Sequence, residues 1–431
     1  MAGLPICLQR LIKTFACCLL LILPPGLEAQ QQTISLQQAF QLAEQNYPMI
    51  HQKDLIKTSE RLSIQNLNTN FFPQLTINGQ ATTQSEVTKI PFLIPGLQIP
   101  FLSRDQYKAV GEVNQLLYDG GTTKGQKNVQ LLNSTVEENQ VAVELYSLKG
   151  RINQLYFSIL YEDNLLQQTD LLLKDIQIGI DKVKPQVENG VSLRSNLQVL
   201  QAQLLQTQQR AIEIRSARKG LADALSVLIN QPVSETTKLQ APSEYNQTDT
   251  TLFRPELQLY QSQSQLIAGR EQLIQARNRP KVNVFFQGGY GRPGLNMLSN
   301  EFQSFYITGL RLNWSLGSLY NSKRDKELLD VNRQTVDLQK QVFVMNTHSQ
   351  LVQQKSDIDK YAQLVASDEG IIQLRKQVTD AAKAQLENGV ITSTDYLIQV
   401  NAEDQARQAL ILHQLQLLQA QTNFAITTGK L

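Results

Sequence analysis

The sequence predicts an α+β membrane protein: four transmembrane β-strands per protomer, continued by long antiparallel α-helical coiled coils, the whole written as two internal repeats. Three observations predict it. Landmarks recur at one offset: Pro48 to Pro255 and Pro73 to Pro280 are each 207 residues apart, and "QVENGV" (186–191) returns as "QLENGV" (385–390). Pairs of segments of about ten residues alternate apolar with polar, as a half-lipid, half-water wall requires. Elsewhere apolar residues step by three and four through runs far longer than a globular helix.

The chain opens with a leader. Residues 1–29 place Arg10 and Lys13 before the apolar run "TFACCLLLILPP", with cleavage predicted after Ala29. Cys7, Cys17 and Cys18 all fall inside it, so the mature chain has no disulfide framework. Losing Arg10, Lys13 and Glu28 leaves 38 basic residues against 37 acidic ones, a near-neutral balance that gives nucleic acid no electrostatic footprint. Past the leader no apolar run reaches about 18 residues, so an exported chain of this kind either stays soluble outside the cytoplasm or enters a membrane as strands.

The first repeat, 30–240, begins with a helical segment in "SLQQAFQLAEQNYPMI" (35–50), continues with strands at about 74–83 and 105–118, and ends in a helical hairpin with its tip near 188–195. The second, 241–431, restarts at "RPELQ" (254–258), with strands at about 281–291 and 304–316 and a tip near 387–395. Alternation assigns one face of the strands to lipid: Leu75, Ile77, Val282, Val284, Phe286, Leu310, Leu312 and Trp314. Thr76, Asn78, Lys108, Glu112 and Arg311 then face water. The same period also suits a sheet packed on a soluble core. The loop 86–104, "EVTKIPFLIPGLQIPFLSR", is unusually apolar; it either folds over the outer mouth or packs on neighbouring copies.

Each strand pair leads, through "LLYDGG" (116–121) or "NWSLGSLYN" (313–321), into a long helix. One seam runs through Val141, Leu145, Leu148, Ile152, Leu155, Ile159, Leu166, Leu173, Ile176, Ile180 and Val183; a second runs from Leu193 through Leu200, Ala211 and Ile214 to Leu228. A third uses Leu328, Val331, Thr335, Leu338, Val342 and Met345. Unbroken, the helix from about 122 to 184 would extend roughly 95 Å. At the tips, Gly190 and Gly389 suit the left-handed cap that ends an outgoing helix. Thr392 and Asp395 have capping-box spacing for the returning one.

Four strands cannot close a membrane barrel, because the smallest type needs about eight. Two copies would give a barrel filled by its own side chains, whereas three or more would leave an aqueous lumen.

The ordered set of leader, "SLQQAFQLAEQNYPMI", strand pair, "YDGG", long helix, "ENGV" tip and returning helix, repeated from "RPEL", resembles the TolC-like outer-membrane efflux proteins over roughly 33–428. The resemblance implies a homotrimer sharing one β-barrel in outer-membrane lipid, with an α-helical barrel reaching into the periplasm. It implies as partners a periplasmic adaptor (membrane fusion) protein and an inner-membrane pump of the RND, ABC or MFS type. It also implies a gate at the tips, where Asp395 matches an acidic ring position. Asn196 stands at the equivalent place in the first repeat and Ile398 at a second acidic position, so the ring holds one carboxylate per protomer at most, and no salt bridge between hairpins is carried over. Tip candidates are therefore Asp395, Asn196, Arg194, Gly190, Gly389 and Thr392. Asp395 either gates or only caps its helix, and Arg194 either pairs with it or is solvated.

Enzymatic chemistry is not expected. "GYGRPG" (289–294) has dinucleotide-motif spacing, but another strand follows where a phosphate-binding helix should. His51, His348 and His413 stand singly without metal-ligand spacing. No nucleophile has a base and an orienting group beside it, and no cofactor is implied. The competing reading is a soluble extracytoplasmic coiled-coil scaffold.

Overall fold

The computed structural model describes residues 33–88, 102–245 and 249–431. The leader and most of the apolar loop 86–104 lie outside the described residues. The chain is mostly helical with a few strands. In order it forms β1 (Thr33–Ile34), α1 (Leu36–Asn46), α2 (Gln52–Asn68), β2 (Gln74–Thr83), β3 (Asp105–Tyr118), α3 (Thr122–Glu188) and α4 (Arg194–Ile229). It continues with β4 (Lys238–Leu239), α5 (Pro255–Arg277), β5 (Lys281–Arg292), β6 (Gln303–Asn313), α6 (Ser318–Glu387) and α7 (Ser393–Thr428). No helix among the described residues is long and apolar enough to cross a membrane.

Packing divides the chain into two units. The described parts of Met1–Asn46, Lys149–Asn246 and Lys355–Asn423 form one, which contains the hairpin tips; Tyr47–Leu148, Gln247–Gln354 and Phe424–Leu431 form the other, which contains the main sheet.

In the sheet unit the strand order is β2-β3-β5-β6, every neighbouring pair antiparallel. Residues directly opposite one another share a face, so the register tests the alternation strand by strand. Leu75 pairs with Val113, Val113 with Phe286 and Phe286 with Thr308; Ile77 pairs with Gly111, Gly111 with Gly288 and Gly288 with Tyr306. Val284 lies opposite Leu310 and Val282 opposite Leu312, on this same face. Thr76, Asn78, Glu112, Gln287, Asn283 and Arg311 fall on the other, together with apolar Val110, Phe285, Phe305 and Ile307.

The described residues leave the apolar face uncovered: Leu75, Ile77 and Leu310 are 67%, 77% and 73% exposed. A β-sheet edge leaves backbone donors and acceptors without partners, and among the described residues both β2 and β6 are edges. Trp314 lies one residue beyond β6, and its indole N–H donates to the Asn278 carbonyl at 3.0 Å. Strand β3 ends in a register irregularity between Leu116 and Tyr118. Asp119 then accepts from the Gly121 and Thr123 N–H groups at 2.8 and 2.6 Å, capping α3, which gives the "YDGG" run a local reason.

The helical seams are visible in burial but shift locally. Val141, Leu145, Leu148, Ile152 and Ile159 are buried as expected; farther along, Leu165 and Leu172 replace Leu166 and Leu173, and on α4 Ala222 and Ile229 replace Leu221 and Leu228. The shift on α3 is local rather than cumulative, since Ile176, Ile180 and Val183 beyond it are buried at the expected positions. The third seam differs more. Leu328, Val331, Leu338, Val342 and Met345 are all more than half exposed, and no partner covers them among the described residues.

Candidate functional site: the paired hairpin tips

Both tips are built by the same backbone device. At the first, Val191 N–H donates to Gln186 C=O at 2.8 Å and Gly190 N–H to Val187 C=O at 3.1 Å; at the second, Val390 donates to Gln385 at 2.8 Å and Gly389 to Leu386 at 3.0 Å. This is the Schellman closure, which needs a left-handed residue after the helix. Gly190 and Gly389 supply it with φ of 74° and 69°, and a Cβ built on either meets nothing within 4 Å.

The returning helices start differently. Thr392 N–H and Oγ1–H donate to Asp395 Oδ2 at 3.1 and 2.7 Å, and Asp395 N–H donates back to Thr392 Oγ1 at 3.2 Å, a reciprocal capping box. The Thr392 hydroxyl and then its backbone N–H hold the Asp395 carboxyl below its ordinary range. Geometry thus accounts for Asp395 as a cap while leaving the carboxylate exposed and charged. Asn196, at the matching place, donates from Nδ2 to Ser192 Oγ at 3.1 Å. Arg194 is exposed at the start of α4 and forms no ion pair with Asp395. Leu193, the first residue of the expected second seam, is exposed as well.

Beneath the turns, one apolar cluster draws on all four helices: Ile176, Ile180 and Val183 from α3, Leu200 from α4, Leu386 from α6, and Leu397 and Val400 from α7. It fixes the two tips side by side around a groove of about 390 Å³ lined by Asn196, Glu387, Thr392 and Asp395. Tyr396 is in this cluster, and burial, followed by the nearby Asp175 charge, pushes its phenol up to about 12.

The one pair weighed from the sequence, Arg194 with Asp395, does not form, but among the described residues two other ion pairs join the hairpins. Lys182 of α3 meets Glu387 at the end of α6, and Gln186 Nε2 donates to the Glu387 carbonyl at 3.3 Å. The Lys182 ammonium, by its hydrogen bond, holds the Glu387 carboxyl low. Deeper in, the nearly buried Asp404 of α7 accepts from Arg210 of α4 at 3.3 Å and from Gln168 of α3 at 3.1 Å, and also from Gln408. Burial raises the Asp404 carboxyl, partly offset by the Gln168 hydrogen bond. Sequence reading missed both pairs because each joins residues about 200 positions apart, and spacing carries no trace of such contacts. It also missed the 2.5 Å contact between His413 Nδ1 and Asp368 Oδ2. No nucleophile accompanies that pair among the polar contacts described, and no cluster of metal-ligating side chains occurs among the described residues.

With this geometry in place, the chain compares with known proteins as follows. No protein-family model matches it, and no curated protein is detectably similar in sequence. Solved structures do match in fold. The outer membrane protein VceC of Vibrio cholerae superposes with a TM-score of 0.65 at 13% identity, covering 91% of this chain and 96% of VceC. The open-state MtrE outer membrane channel of Neisseria gonorrhoeae gives 0.63 at 14%, covering 92% and 89%. The CmeC outer membrane channel of Campylobacter jejuni gives 0.62 at 11%, covering 92% and 85%. At these identities the likeness establishes the fold, which is the TolC-like fold of outer-membrane channels.

Proposed function

We propose, from a fold shared with outer-membrane channels, that this protein is the homotrimeric outer-membrane duct of a tripartite efflux or type I secretion system. It conducts passively what an inner-membrane pump and a periplasmic adaptor deliver, and its hairpin tips open and close the periplasmic end. The observation that carries the reading is the four-stranded sheet, too narrow to enclose water, with one exposed apolar face and, among the described residues, two open edges. Three such sheets joined edge to edge would make a closed twelve-stranded wall, satisfying the edge backbone and giving the apolar face to lipid. The exposed Leu328–Met345 seam supports the same conclusion, since a helix face of this kind finds its cover in a neighbouring copy.

The duplicated sequence landmarks support an origin of the chain from two copies of one unit, 30–240 and 241–431. In the assembled duct the Lys182–Glu387 pair and the Gln186 hydrogen bond hold neighbouring hairpins of one protomer together at the tip. Asp395 contributes one exposed carboxylate per protomer close by. Fractionation tests the reading: the protein should pellet with outer membranes, need detergent for extraction, and conduct ions in a planar bilayer. Recovery from the periplasm without detergent as a stable single chain would instead select the coiled-coil scaffold.

A further inference from the structure

The polar face of the sheet carries a feature that a passive duct does not require. Gly309 lies opposite Phe285, and Gly289 opposite Phe305. Each ring covers its facing glycine: a Cβ on Gly309 would stand 3.3 Å from Phe285 Cε1, and one on Gly289 2.5 Å from Phe305 Cζ. Each ring in turn supports a cation. The Arg311 guanidinium lies 4.5 Å from the Phe285 centroid, and the Lys108 ammonium 5.2 Å from that of Phe305. The same stack of glycine, phenylalanine and cation is thus built twice on one face. Ring quadrupoles attract cations without neutralising them, so both charges are held in place and both survive.

Glu112 opposes only one of them, through its 3.1 Å contact with Arg311. Lys281, the other cation on this face, has Asp119 as its electrostatic neighbour. Lys108, opposite Gly291, and Arg311, opposite Asn283, stand toward the two ends of this face with Glu112 between them, and together the three leave one net positive charge per chain. On the apolar face the charged residues of the paired strands, Asp105 and Arg292, sit only at strand ends.

We infer that Lys108 and Arg311 form a fixed two-tiered cationic girdle inside the barrel, one tier toward each end of the sheet, that favours passage of anions independently of the acidic hairpin tips. This rests on the channel reading, in which the polar face lines the lumen. Rings of Arg and Lys select anions by raising their local concentration. In a trimer the girdle has six cations and three carboxylates, and its signal should persist when the tip carboxylate is removed.

The test is the reversal potential of single channels in planar bilayers across a potassium chloride gradient at low ionic strength. Arg311→Gln and Lys108→Gln should each lower the chloride-to-potassium permeability ratio by about twofold, and Glu112→Gln should raise it by a similar factor, as expected when one unit charge per chain is removed at low ionic strength. Asp395→Asn, at the hairpin tips, serves as the control and should shift the ratio additively. Channels of normal conductance whose selectivity ignores residues 108, 112 and 311 would overturn the girdle and leave the duct intact. A wild-type protein that never conducts would overturn the channel reading itself. Lys108→Gln, in a residue outside the Glu112 ion pair, keeps the test open should Arg311→Gln fail to assemble.

Discussion

Moving one positive charge by one residue along β2 should separate a membrane wall from a soluble sheet. Ile77 is 77% exposed and sits in the row formed with Gly111, Gly288 and Tyr306, close to the middle of all four strands. Asn78, its neighbour, points to the opposite face. If the apolar face meets lipid, Ile77→Arg places a guanidinium near the bilayer midplane at a cost of about 2–4 kcal/mol per chain, or roughly 6–12 for three chains assembled together. Asn78→Arg puts the same group into water and should cost within about 0.5 kcal/mol, as surface substitutions do. The assay is urea unfolding of the lipid-reconstituted protein, with heat resistance of the oligomer on gels as a second readout. The reasoning is refuted if Ile77→Arg assembles and unfolds like wild type, or if Asn78→Arg is the variant that fails.

Other expectations concern the tips. Lys182→Ala removes the bridge to Glu387 and should increase the open fraction of single channels; unchanged gating would assign that pair to the surface alone. Asp395→Asn keeps a side-chain oxygen to accept from the Thr392 N–H and removes the charge, so reduced cation preference with unchanged stability would give the carboxylate a role beyond capping. Equal selectivity would leave the cap as its whole role. Asp404 makes a prediction about pH. Burial raises its folded-state value, so the native state binds this proton more tightly than the unfolded chain, and its contribution to stability is lost as pH rises from about 4 through the raised value. Asp404→Asn should flatten the dependence of thermal midpoint on pH in that window, and an unaltered slope would contradict the assignment.

What could be read in advance follows from the range of the interactions involved. Alternation in "LTINGQAT" is a local property, and strand β2 occupies Gln74–Thr83 with Leu75 and Ile77 on one face. Long helices are likewise written in steps of three and four, and the tip glycines in a local backbone demand. The seam was legible only in outline, because Leu165 and Leu172 turn into the core in place of Leu166 and Leu173 between stretches where the expected positions are buried, and local spacing does not show which neighbour a distant helix will cover. Trp314 illustrates a boundary effect, since the alternation continues past the last ladder pair, Lys281 with Asn313. Contacts between distant segments, including Lys182 with Glu387 and the two glycine–phenylalanine–cation stacks, depend on register between strands and helices and leave no spacing signal.

The claim on which the account rests is that one chain supplies a third of a closed wall. Native mass spectrometry of detergent-extracted protein measures this directly. Three chains held together, with no folded single chain after detergent removal, is the predicted result. A stable, soluble single chain whose sheet stays outside lipid would contradict it.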